Sequence, residues 1–233
     1  MAPGTMPPIV AILLAYASGS LPFAYLAGRL LKGIDLRTVG SGNLGATNVY
    51  RTLGAPAAVV VLLLDALKGA LPVLLLTPRI SEVVSAPAGS ATPAWMGLVL
   101  GIAAILGHAK PVFLLWEGGG KGVATTAGVF AALVPVALLL ALAVFVVVVW
   151  RTRIVSLGSM VAALVLPAAV AWRVGPGSPF ALVAIAVAGF VVWTHRANIE
   201  RLRAGTEPRL GAPGSAMPEA VARAKEGRRC DVR

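Results

Sequence analysis

Apolar residues in this 233-residue chain fall in long, nearly unbroken runs. Surface strands alternate in polarity and surface helices repeat every three to four residues; these runs do neither. A helix that crosses a bilayer needs roughly 20 apolar residues. Segments 6–28, 55–77, 94–115, 154–173 and 178–194 meet that need. A sixth block, 122–150, is almost wholly apolar. As one helix it measures about 44 Å, well beyond a hydrocarbon core of ~30 Å, and as two helices of about 14 residues each crossing is short. Pro135 supplies a place to break it.

Charge decides between the two. With a short hairpin near Pro135 there are seven crossings, and the segments after the first, third, fifth and seventh share one side. Those segments carry sixteen of the twenty Lys and Arg residues, including Arg29, Arg51, Lys121, Arg151 and Arg153. Positive loops stay inside. A single helix at 122–150 puts the Arg-rich C-terminal segment outside. The pattern therefore predicts an all-α integral membrane protein with seven transmembrane helices, N-terminus outside and C-terminus cytoplasmic. The first run reads as an uncleaved span. No Lys or Arg precedes Arg29, as a signal peptide requires, and the run continues beyond Ala15-Tyr16-Ala17 to Leu31. Residues 1–211 make one membrane domain. Residues 212–233, polar and of mixed charge, read as a disordered cytoplasmic tail.

Composition removes other classes. Hydrophobic residues are 58%, charged residues 12%, and mean hydropathy is +0.87. That excludes a soluble enzyme of ordinary composition, a disordered chain and a disulfide scaffold. The net charge of +11 flanks apolar spans and shares no face with aromatics, so it reads as topology and not as nucleic-acid binding. Cys230 is the single cysteine, and His108 and His195 are the two histidines. No Cys/His cluster offers a metal site, and no cofactor motif is present.

Three unusual segments fall on the cytoplasmic side. The first is Gly40-Ser41-Gly42-Asn43-Leu44-Gly45-Ala46-Thr47-Asn48-Val49-Tyr50-Arg51. Its glycines let backbone N–H groups turn into one concavity, Ser41, Asn43, Thr47 and Asn48 add donors, and Arg51 grips phosphate with two parallel bonds. The second, Gly118 to Thr126, sets Gly119, Gly120, Lys121 and Gly122 before a helix start, which favours anions. It lacks Walker spacing, so it is not a nucleotide loop. The third runs from His195 to Glu207, with His195 and Asn198 three apart on one helix face. Within the spans, Asp65 and Lys68 read as a structural ion pair, and His108 as a packing residue.

These segments resemble the bacterial acyl-phosphate:glycerol-3-phosphate acyltransferase (PlsY) family. The likeness is carried by Gly40–Arg51, Asp65–Gly69, Gly107-His108 with Pro111-Val112-Phe113, Gly119–Thr125, and His195-x-x-Asn198-Ile199-x-Arg201-Leu202-x-x-Gly205-x-Glu207. One departure is that Trp116-Glu117 precedes three glycines, one more than the family pattern. The resemblance implies transfer of an acyl group from acyl phosphate to the 1-hydroxyl of glycerol 3-phosphate in the bacterial cytoplasmic membrane. It implies Ser41, Arg51, Lys121, His195 and Asn198 as catalytic residues. It implies substrate binding by Gly40, Gly42, Asn43, Thr47, Asn48, Gly119, Gly120 and Gly122, and a structural part for Glu207. The enzyme that makes acyl phosphate is an implied partner. The base that takes the hydroxyl proton is open between His195 and a substrate phosphate. A transporter is the rival class, but transporters bind at midplane breaks between inverted repeats, whereas these motifs are same-side loops.

Overall fold

A chain this apolar must satisfy its backbone internally, and the helix does so within each segment. The computed structural model describes residues 6–80 and 95–211 and is helical throughout, with no β-strand among the described residues. The elements are α1 Pro8–Gly19, α2 Phe23–Lys32, α3 Ala46–Leu53, α4 Ala55–Leu76, α5 Trp95–Ala109, α6 Val123–Leu133, α7 Pro135–Thr152, α8 Val155–Val174, α9 Pro179–Thr194 and α10 Arg196–Arg203. The expected tail, 212–233, and Cys230 lie outside the described residues.

Among the described residues, five stretches are long and apolar enough to cross a membrane: Pro8–Lys32, Ala55–Arg79, Trp95–Leu114, Pro135–Thr152 and Val155–Val174. The bent pair α9–α10, at 58°, makes a sixth. The 122–150 block does break at Pro135, but unevenly, into 11 and 18 residues. Its first half, α6, measures about 16 Å, roughly half of a ~30 Å core. The first run also differs from one continuous helix. It breaks at Ser20-Leu21-Pro22, because Pro22 has no N–H to continue the ladder. Leu21 O accepts from Lys68 Nζ at 2.8 Å, and Lys68 Nζ lies 2.8 Å from Asp65 Oδ1, so the expected ion pair is present.

Helices α6–α9 enclose a core around Phe130, Val134, Ala137, Leu166, Val170 and Val191. Their other faces carry exposed Leu139, Val147, Leu164 and Ile185, an apolar exterior suited to lipid. Helix α4 meets α6 backbone to backbone: a Cβ on Gly128 would sit 1.8 Å from Ala66 O, and one on Gly69 would sit 2.3 Å from Thr125 O. Small residues permit that approach where no hydrophobic force drives helices together. It fixes the start of α6 against the middle of α4, beside the site.

Candidate active site

The 40–51 segment is held from behind. Asn48 is 1% exposed and spends its whole amide on the loop. Its Oδ1 accepts from Ser41 N at 3.0 Å, and its Nδ2 donates to Leu36 O and Val39 O at 3.2 and 3.0 Å. Gly40, at φ +66°, makes room for it, since a Cβ there would lie 2.2 Å from Asn48 Oδ1. With Asn48, Val49 and Thr52 buried, α3 turns Thr47 and Arg51, four residues apart, to one cavity.

The glycine loop is stitched to that segment. Leu44 N and Asn43 Nδ2 both donate to Gly119 O at 3.2 Å, and Gly120 N donates to His108 O at 3.1 Å. Gly120 packs on the His108 ring so closely that a Cβ would lie 1.8 Å from Nε2. Gly122, at φ +80°, turns the chain into α6. Lys121 is thereby delivered to the cavity, where Nζ donates to Asn198 Oδ1.

The third segment forms a buried knot. Glu207 Oε1 accepts from Ser156 Oγ and Asn198 Nδ2, both at 2.6 Å, and Oε2 accepts from Arg201 Nε at 2.7 Å. Because the Asn198 amide donates to Glu207, its oxygen must face Lys121. His195 caps the end of α9 and its Nδ1 lies 2.8 Å from Val191 O. A carbonyl only accepts, so Nδ1 carries the proton and Nε2 is a bare acceptor.

Together these walls surround a cavity of about 130 Å³. Burial pushes the Lys121 ammonium down to about 8; Glu207 opposes the shift, and Arg201 and Arg51 add to it. Burial, with Lys121 beside it, pushes His195 down to about 4, against the pull of Val191 O and Glu207. Burial also lowers Arg51 without threatening its charge. Burial works to raise Glu207, but the bonds from Ser156, Asn198 and Arg201 outweigh it and hold the carboxyl below its ordinary range. At neutral pH the cavity holds two cations, a neutral imidazole and an ionised carboxylate behind them.

A second cavity of about 300 Å³ lies beside the first. Both are lined by Leu62, Val123, Ala124, Phe145 and Ser159. It continues along Ala141, Ala162, Ala163 and Leu166, and its walls are almost entirely apolar. A cationic chamber thus sits against a greasy one, a pairing suited to an anion with a hydrocarbon tail.

Against this geometry, the glycerol-3-phosphate acyltransferase family model matches residues 9–205. The chain belongs to that family. Glycerol-3-phosphate acyltransferases of Synechococcus sp. (strain CC9902) and Trichlorobacter lovleyi are 46% and 48% identical, over 88% and 85% of this chain and 96% and 95% of theirs. Among solved structures, the glycerol 3-phosphate form of the integral membrane glycerol 3-phosphate acyltransferase PlsY superposes with a TM-score of 0.75 at 38% identity. That match covers 88% of this chain and 96% of the other. The lysophosphatidic acid form of PlsY gives 0.72 at 36%, covering 88% and 95%.

Of the sequence candidates, Ser41, Asn43, Thr47, Asn48, Arg51, Lys121, His195 and Asn198 line the chamber. Gly40, Gly42, Gly119, Gly120 and Gly122 do not line it; they form the turns and close contacts behind its wall. Asn48 lines it with an amide already committed to the loop, so its part is to set Ser41. The chamber also includes residues not singled out for it: Asp65, His108, Ser156 and Ser159. Asp65 and His108 carried a signal, being polar inside apolar runs; the two serines carried none.

Proposed function

We propose that the protein is a membrane enzyme that moves a fatty acyl group from acyl phosphate to the 1-hydroxyl of sn-glycerol 3-phosphate. The products are lysophosphatidic acid and inorganic phosphate. The observation that carries this reading is the apolar cavity lying against the Arg51–Lys121 chamber, with five lining residues in common. Arg51, Lys121 and the Ser41 region hold the phosphates, and the acyl chain lies along Ala141, Ala162 and Leu166. The carbonyl then sits at the junction.

The hydroxyl oxygen attacks the acyl carbonyl carbon, the carbon–oxygen bond to phosphate breaks, and phosphate leaves. Cations at the chamber stabilise the charge that moves onto it. The proton goes to a phosphate oxygen. A phosphate dianion, with a pKa of about 6, is a stronger base than an imidazole held at about 4. His195 Nε2 accepts the hydroxyl hydrogen bond and orients the nucleophile.

The same arrangement supports seven crossings with a cytoplasmic site. The chamber draws on the starts of α6 and α8, the ends of α5 and α9, the middle of α4 and the second half of α7. Helix α6 therefore leads away from the chamber and α7 returns, and the basic loops gather at this end.

The test is to incubate purified protein with palmitoyl phosphate and glycerol 3-phosphate in excess EDTA. Lysophosphatidic acid and phosphate should appear in equal amounts. No product from palmitoyl phosphate, or product from palmitoyl-coenzyme A instead, overturns the reading.

A further inference from the structure

A chamber that gathers phosphates also holds a carboxylate. Asp65 lines it from α4, 2% exposed, one turn below Leu62. Its Oδ1 lies 2.8 Å from Lys68 Nζ and 3.7 Å from His108 Nδ1. No hydrogen bond to its Oδ2 is seen among the described residues. Lys68 is itself fixed, bonded to Leu21 O and lying 5.5 Å over the Phe23 ring. An ammonium tethered there pairs with one oxygen of the carboxylate and leaves the second facing the chamber. A buried acceptor left open toward a cavity is costly unless something donates to it.

The chamber thus has three kinds of wall. Cations Arg51 and Lys121 form one, the apolar cavity lies behind a second, and Asp65 with His108 forms the third. Glycerol 3-phosphate has three substituents that need distinct surroundings. Its phosphate belongs with the cations, and its reacting 1-hydroxyl belongs at the mouth of the apolar cavity, where the acyl carbonyl sits. The remaining 2-hydroxyl is a donor, and a carboxylate accepts without donating. The same negative charge repels phosphate, so it also keeps either phosphate out of that corner.

We infer that Asp65 is a specificity-determining residue that accepts a hydrogen bond from the 2-hydroxyl of the polyol phosphate. The inference rests on the acyl-transfer reading above. Contact at three unlike substituents makes the site chiral, so one enantiomer of glycerol phosphate fits and its mirror image does not. The pair Asp65–Lys68 is then more than an internal ion pair: Lys68 positions Asp65, and Asp65 reads the substrate.

The experiment compares kcat/KM for sn-glycerol 3-phosphate and for 3-hydroxypropyl phosphate, which lacks only the 2-hydroxyl. Wild type should prefer the natural substrate by a factor on the order of 10², because the analogue leaves one buried carboxylate oxygen without a donor. In Asp65→Asn, a neutral acceptor of the same shape, the preference should fall about tenfold through loss on glycerol 3-phosphate, with the analogue rate little changed. Asp65→Leu with Lys68→Leu removes both charges together and should abolish the preference. It should also raise the relative rate on the enantiomer. A wild-type ratio near one overturns the inference without needing a folded variant. So does an equal loss on both substrates in Asp65→Asn, the mark of a purely structural pair. Absence of any lysophosphatidic acid from wild type overturns the acyl-transfer reading, and with it this one.

Discussion

Glu207→Gln probes how the cationic wall is tuned. The carboxylate accepts from Ser156, Asn198 and Arg201. A hydrogen bond to a charged group contributes about 1.5–3 kcal/mol, against about 0.5–1.5 for a neutral one. Ser156 and Asn198 are buried, so each loses about 1 kcal/mol; Arg201 is 36% exposed and loses less to screening. Stability in detergent should fall by about 2–3 kcal/mol. Glu207 also supports the charge on Lys121. Without it, burial and the neighbouring arginines act unopposed, and the ammonium moves further down from about 8. Only the ammonium pairs with phosphate. In wild type it is about nine-tenths formed at pH 7 and about half at pH 8, and the variant holds less of it at both. The KM for glycerol 3-phosphate should therefore rise, and rise more at pH 8 than at pH 7, with a smaller change in kcat. Phosphate release measured from pH 6 to 9 reads this directly. On the acid side, Glu207 titrates below its ordinary value, so its stabilisation is complete above about 4.5 and is lost as pH falls through the folded value. The variant should lack that acid-side loss. A KM–pH profile that overlays wild type would refute the link from Glu207 through Asn198 to Lys121.

Four further outcomes follow. Arg51→Lys keeps the charge but loses the two-pronged grip, and kcat/KM should drop by a factor on the order of 10² or more in steady-state assays. His195→Gln can still accept a hydrogen bond; it should keep measurable turnover and show no lost ionisation near pH 6–7, because His195 lies at about 4. Collapse of turnover with loss of such an ionisation would make His195 the base. Gly128→Ala drives a methyl into the Ala66 carbonyl across the α4–α6 contact. It should lower stability by at least about 2 kcal/mol in thermal unfolding. A membrane-impermeant thiol reagent should label Cys230 only after cells are permeabilised; labelling in intact cells would overturn the seven-crossing parity.

Much of the architecture was legible because lipid leaves the chain few choices. Apolar length located α4, α5, α8 and α9, and Pro135 located the α6–α7 break, because a proline inside a helix shows its effect locally. The break at Ser20–Pro22 was hidden within an apolar run, since the group that completes it, Lys68, lies 47 residues further on. The three motifs announced themselves as polar islands between spans, and the structure brings eight of the candidate residues named from them to one chamber. Their division of labour was not legible. Nothing in Gly40, Gly120 or Asn48 says that they hold the wall up from behind, because that depends on which neighbour presses on them. Asp65 looked satisfied by Lys68 because sequence spacing reveals a pair and not a second, open oxygen. Ser156 and Ser159 look like any serines at a helix start.

The junction between Leu21 and Lys68 also bears on how the chain is made. The carbonyl at the bend of the first apolar run has its charged partner only once residue 68 has been synthesised. A polar backbone group left in hydrocarbon costs several kcal/mol. Neither segment is a comfortable lone insert: the first lacks a partner for its bend, and the second carries Asp65 and a bare ammonium. Helices α1, α2 and α4 therefore complete one another in the bilayer, each supplying what the other's polar group needs. The charge pair that faces the chamber is also the clasp that joins the N-terminal helices.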